Sequence, residues 1–131
     1  MKLMNPLKLL ANAKTASKYA YAPYSKYRVG AALLTSDGTV FPGCNIENSS
    51  YGLTICAERT AMFSAIAAGK RKFKALAIVS TGKKPPSPCG ACRQVLAEFC
   101  GNIPVYFASA NDLKKFRCIP SADLLPESFK L

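Results

Sequence analysis

Histidine is absent from this chain of 131 residues, and tryptophan with it. With no imidazole there is no histidine general base and no ring nitrogen to ligate a metal, so any transition-metal site must be built mainly from sulfur. Acidic residues are scarce. Seven Asp and Glu stand against 18 Lys and Arg, a formal charge of +11. No uninterrupted apolar run reaches the length of a membrane span. The opening residues, Met1 to Leu7, lack an apolar stretch followed by a small-residue cleavage site, which argues against a secretory leader and for a cytoplasmic address.

Half of the residues are hydrophobic and 19% are charged. That balance suits one folded domain over residues 1–131, with more apolar surface than a monomer favours. The basic excess has two readings, a nucleic-acid surface or a solvated basic one. The charges are scattered, clustering only at Lys70–Lys74, Lys83–Lys84 and Lys114–Lys115, near expected element ends. Charge alone is a weak signal, so no dedicated nucleic-acid partner is expected.

Apolar residues Leu7, Leu10, Ala13, Ala16 and Ala20 recur among lysines at helical spacing, predicting an amphipathic helix over residues 5–20. Val29–Thr35 and Val40–Asn45 read as strands joined by the turn Ser36-Asp37-Gly38-Thr39. A loop follows, and Thr54 is placed to cap a helix over Cys56–Ala68, ended by Gly69. Lys74–Thr81 and Ile103–Ala108 read as strands, and Cys89–Phe99 as a helix stopped by Gly101. Phe116–Ile119 reads as a short strand and Ser121–Leu125 as one helical turn. Helices alternating with strands predict a layered α/β fold with part of the sheet parallel.

Six cysteines stand at 44, 56, 89, 92, 100 and 118. Without a leader, metal or catalytic roles are favoured over disulfides. Cys89 and Cys92, three apart, share one face of a helical turn. Cys56 opens the other helix, and Glu58 follows in its first turn. Three thiolates hold a zinc ion with its fourth position open, and the nearby carboxylate of Glu58 moves protons. Such a site carries a formal charge of −1, which weakens the metal as a Lewis acid. Helix N-termini and an arginine compensate. Arg59 is the first candidate to donate to a thiolate and Arg93 the competing one. Each has a surface ion pair as its ordinary alternative. Cys44, Cys100 and Cys118 read as buried free thiols, though a fourth thiolate from Cys44 would make the site closed and structural.

The spacing C-x-E followed by P-C-x-x-C resembles the all-cysteine form of the zinc deaminase signature. Four blocks in order extend the likeness over nearly the whole chain: Tyr21–Leu34, Gly43–Thr60, Ser87–Gln94 and Leu124–Phe129. Together they resemble the small, homotetrameric cytidine deaminases. The resemblance implies a three-layer α/β/α sandwich around a mixed, mostly five-stranded sheet. It implies one zinc per chain, held by Cys56, Cys89 and Cys92, with Glu58 as proton shuttle. Asn45 and Glu47 would bind the ribose 3′-hydroxyl, and Ala57 the pyrimidine edge. Tyr27 stands near the base where the family usually has Phe. Tyr51 and Phe129 would reach a neighbouring subunit's site. The implied reaction converts cytidine or deoxycytidine to the uracil nucleoside and ammonia, a pyrimidine salvage step.

Three rivals stand beside this reading. A deaminase of a cytosine nucleoside antibiotic shares the zinc strings, but Asn45 and Glu47 argue against it. A nucleic-acid cytosine deaminase is favoured only by the charge, and a site gripping the 3′-hydroxyl has no room for a 3′-phosphate. A structural zinc module that binds RNA or protein would have no exchangeable water on its metal.

Overall fold

The computed structural model describes residues 4–131; of the stretch Met1 to Leu7 on which the leader reading rests, Met1, Lys2 and Leu3 lie outside the described residues. Five strands, β1 (Val29–Thr35), β2 (Val40–Cys44), β3 (Phe73–Ser80), β4 (Pro104–Ser109) and β5 (Asp112–Pro120), form one sheet in the order β2-β1-β3-β4-β5. The β3–β4 pair is parallel and the other pairs are antiparallel. Helix α1 (Pro6–Ser17) lies on one face; α2 (Ala57–Ala67) and α3 (Gly90–Phe99) lie on the other. The expected three-layer sandwich is therefore present.

Strand alternation sorts the core into two halves. Ala31, Leu33, Leu76, Ile78, Val105 and Phe107 pack under α2 and α3, against Ala57, Ala61, Met62, Ala65 and Leu96. Ala32, Leu34, Ala75, Ala77 and Val79 pack under α1, against Leu9, Leu10 and Ala13. Each large side chain buried this way contributes about 1.5–3 kcal/mol. Small residues on the α1 side let that helix come close. A Cβ at Gly30 would stand 1.9 Å from the Ala13 carbonyl oxygen. The same device seats α2, since a Cβ at Gly43 would stand 2.5 Å from the Ala57 carbonyl oxygen. Gly43 thus lets the first turn of α2, which bears Glu58, lie directly on the sheet.

Several expectations shift. The buried stripe of α1 is Leu9, Leu10, Ala13, Ala16 and Ser17, while Leu7 is exposed and Ala20 lies beyond the helix end. Thr54 does not cap α2. Its hydroxyl accepts from the Asn48 N–H, and Cys56 takes the N-cap position. The last strand runs nine residues rather than four, so Lys114 and Lys115 lie within it and not at an element end. It is an edge strand with solvent on much of its surface, so it carries little apolar alternation for a sequence reading to detect. Ser121–Leu124 is a 3-10 turn.

Candidate active site

Cys56 and Cys89 occupy equivalent places, each the N-cap of a helix, and neither thiol caps its own helix. Both side chains are left free to face one another. Their Sγ atoms are 3.6 Å apart, and Cys92, in the first turn of α3, places its Sγ 3.4 Å from that of Cys89. Among the described residues these three form a group with all Sγ atoms within 4.8 Å of one another, and Cys44 is outside it. Tetrahedral zinc with Zn–S bonds of about 2.3 Å sets sulfurs about 3.8 Å apart, so the donor set fits zinc with one position open. Two helix N-termini, each with roughly half a positive charge, point at the sulfurs.

Arg59 donates from Nη2 to Cys56 Sγ at 3.5 Å, so the first arginine candidate does meet a thiol. Cys56 is held down to about 5 by its hydrogen bond with Cys92, aided by Arg59 and Cys89 against the cost of burial. The same bond, with burial and the charges of Glu58 and Cys56, pushes Cys92 far up. Glu58 is 6% exposed. Burial pushes its carboxyl up to about 7, and the Cys56 charge adds to this while its own backbone N–H opposes it.

The Asn45–Glu47 stretch, whose sequence shows only the end of a strand and a loop, is locked beside this cluster. Ile46 exchanges two 3.0 Å backbone bonds with Ile55, the residue before Cys56. On the other side Tyr21 N–H reaches Asn45 O and Glu47 N–H reaches Tyr21 O. Asn45 is buried; its Oδ1 accepts from Val29 N–H at 2.8 Å and its Nδ2 donates to Tyr27 O at 2.8 Å. Glu47 Oε1 accepts from the N–H groups of Tyr24 and Ser25, and Oε2 from the Ser25 hydroxyl. Those bonds, the Ser25 hydroxyl first, hold Glu47 below the usual carboxylate range. A depression of about 430 Å³ opens there, lined by Tyr24, Ser25, Glu47, Tyr51 and Thr54. A larger hollow of about 500 Å³ at the β2 edge has none of the three thiols, Glu58, Asn45 or Glu47 in its lining.

The geometry therefore gathers Cys56, Ala57, Glu58, Arg59, Cys89 and Cys92 at two converging helix starts, with Asn45 and Glu47 beside them. Tyr27 is exposed at 40%, with its ring against Gly82. Tyr51 and Phe129 are exposed at 76% and 69%. Tyr51 packs edge-on to Tyr24, their ring centroids 6.1 Å apart. Two contributors are not evident from the sequence. Tyr24 and Ser25 orient Glu47, and their only sequence signal is membership of the Tyr21–Leu34 block. Among the described residues Arg93 meets no thiol and forms no ion pair; it donates to oxygen atoms of residues 87, 88 and 124.

The family model of the cytidine and deoxycytidylate deaminase zinc-binding region matches residues 4–108. The chain belongs to this family. A cytidine deaminase from Sporosarcina psychrophila is 55% identical over 96% of this chain and 92% of its own. One from Mycobacterium tuberculosis is 48% identical over 94% of this chain and 88% of its own. The crystal structure of a cytidine deaminase from Burkholderia pseudomallei superposes with a TM-score of 0.90, at 50% identity over 96% of this chain and 100% of that one. Family membership gives the three-thiol group its metal, zinc, and makes the chain a deaminase. Among the described residues, no helix is long and apolar enough to cross a membrane.

Proposed function

We propose that this chain, acting as one domain over residues 1–131, hydrolyses cytidine and deoxycytidine to uridine and deoxyuridine with release of ammonia. The observation that carries the reading is a buried carboxylate, Glu58, two residues from a three-thiol cluster set for an open zinc site. When bound, zinc supplies a Lewis acid that acidifies water. Glu58 takes one proton from the attacking water and delivers it to the ring N3; it then takes the second proton from the new C4 hydroxyl and passes it to the departing amine as the C4–N bond breaks. Arg59 balances the negative charge of the sulfurs. The Ala57 backbone meets the pyrimidine edge, and Tyr27 lies along the base.

Asn45 keeps one Nδ2 hydrogen after its bond to Tyr27 O, and Glu47 keeps one of its about four lone-pair sites, on Oε2, beyond its three donors. One donor and one acceptor together match a sugar hydroxyl, and the 3′-hydroxyl is the assigned ligand. Purified protein given cytidine should therefore deplete the cytosine chromophore and release ammonia in equal amounts. Free cytosine should turn over at least about a hundredfold more slowly, because the Asn45 and Glu47 groups that meet the missing hydroxyl are left unpaired. Cytidine 3′-phosphate and cytosine within an oligonucleotide should fail; efficient turnover of single-stranded DNA or RNA would instead assign the chain to the nucleic-acid deaminases.

The working unit is a homotetramer in which Tyr51 and Phe129 reach a neighbouring subunit's site. Their exposure, together with that of Leu53 at 70% and Phe63 at 43%, supports an assembly that covers them. Phe129 then stacks on the pyrimidine bound in another subunit, worth about 1–3 kcal/mol. Cutting the chain after Pro126 should raise KM or lower kcat of the zinc-loaded protein. The +11 charge per chain opposes association, so high salt should favour the tetramer. Sedimentation of a fully active monomer would reject this arrangement. Six free cysteines suit a reducing compartment, and the cytoplasm is the assigned one, where the reaction serves pyrimidine salvage.

A further inference from the structure

The thiol of Cys89 does not cap α3, so the segment that carries it must be held in some other way. The hold comes from one turn further along the helix. Arg93 donates from Nε to Pro88 O at 2.8 Å and from Nη2 to Ser87 Oγ at 2.7 Å, gripping the two residues before Cys89. Its third bond runs the other way, from Nη1 to Leu124 O at 2.9 Å. Leu124 is buried in the core and ends the 3-10 turn that roots the C-terminal segment. Beyond it, Glu127 takes a left-handed backbone, φ 53°, where the segment turns. Phe129 O then accepts from Gln94 Nε2 at 3.4 Å, and Lys130 pairs with Glu98 at 3.9 Å. Helix α3 thus holds both the metal segment and the tail, and Arg93 bonds to both.

We propose that Arg93 is a positioning residue that couples retention of zinc at Cys89 to the seating of the C-terminal segment from Leu124 to Phe129. A guanidinium suits this task because its planar fork serves three acceptors in fixed directions, which an ammonium cannot do. Coupling of this kind is reciprocal in binding free energy: zinc steadies the tail root, and the seated root tightens zinc binding. The inference rests on the zinc reading above but not on the role of Phe129 in a neighbouring site.

The test combines zinc transfer to a chromogenic chelator with hydrogen exchange of the zinc-loaded and zinc-stripped protein. In the parent, stripping zinc should raise deuterium uptake over residues 124–131. In Arg93→Gln, zinc should leave about tenfold faster, the scale on which supporting partners of metal ligands act. Uptake over 124–131 should then be high with or without zinc, while uptake in α1 and β1 stays at the parent level. A general loss of stability would raise uptake everywhere. Arg93→Lys should not rescue. Should Arg93→Gln not fold, Ser87→Ala removes one of the three bonds and should speed zinc release about fivefold, the worth of one hydrogen bond. A parent-like zinc release rate in either variant, or a tail in Arg93→Gln that still responds to zinc, overturns the coupling. A parent chain that takes up no zinc at all overturns the zinc reading beneath it.

Discussion

Glu58→Gln should retain zinc and bind cytidine, yet lose roughly two to four orders of magnitude in kcat, the usual contribution of a positioned general acid–base group. The loss falls on kcat because the amide keeps the shape and the volume but cannot accept a proton from water or pass it to N3. The same carboxylate serves the leaving amine, so the upper end of that range is expected. Stability should move the other way. Glu58 is 6% exposed beside three sulfurs, and a buried charge is costly. The thermal midpoint of Glu58→Gln should equal or exceed that of the parent, which separates lost chemistry from lost folding. Steady-state kinetics, zinc analysis and a melting curve on one preparation decide the matter. Turnover within a fewfold of the parent would refute the shuttle assignment.

Cys92→Ala should remove the metal. Its Sγ belongs to the most buried residue of the three, 1% exposed, and no other described thiol lies close enough to replace it. Zinc content should fall from about one per chain to a small fraction, because two sulfurs cannot hold a site built for three. Deamination should fall with it. Cys44→Ala is the matched control. Cys44 is half-buried at the β2 edge, and burial pushes its thiol up. It should keep both zinc and activity; loss of zinc from that variant as readily as from Cys92→Ala would mean a fourth sulfur and a closed site. Elemental analysis of protein purified without added metal reads both outcomes.

The two zinc strings are legible in the sequence because their chemistry is local. A C-x-x-C spacing puts two thiols on one helical turn whatever surrounds it. A glutamate two residues from a cysteine lies in the same first turn. The lack of histidine leaves sulfur as the principal ligand. Strand β1 and the Ser36–Thr39 turn are legible for a similar reason, since apolar runs and turn residues act over a few positions. The departures also have local causes. Thr54 has the chemistry of a cap, but Cys56 holds that place with its thiol turned to the metal cluster. Strand β5 reads short because its exposed Lys114 and Lys115 break the apolar pattern.

The sequence by itself determined the donor set, the carboxylate beside it, the layered α/β class and the family. Tertiary structure decided how those groups are held. The Glu47 carboxylate is oriented by residues 22 and 23 positions away, Asn45 by backbone atoms of Tyr27 and Val29, and Arg93 by a carbonyl 31 positions away. Most of these partners are backbone groups: every residue carries a C=O, and every residue but proline an N–H. A backbone acceptor leaves no mark in composition or spacing. Only the closing of the chain onto α2 and α3, helped at Gly43 by the lack of a side chain, brings those partners within reach.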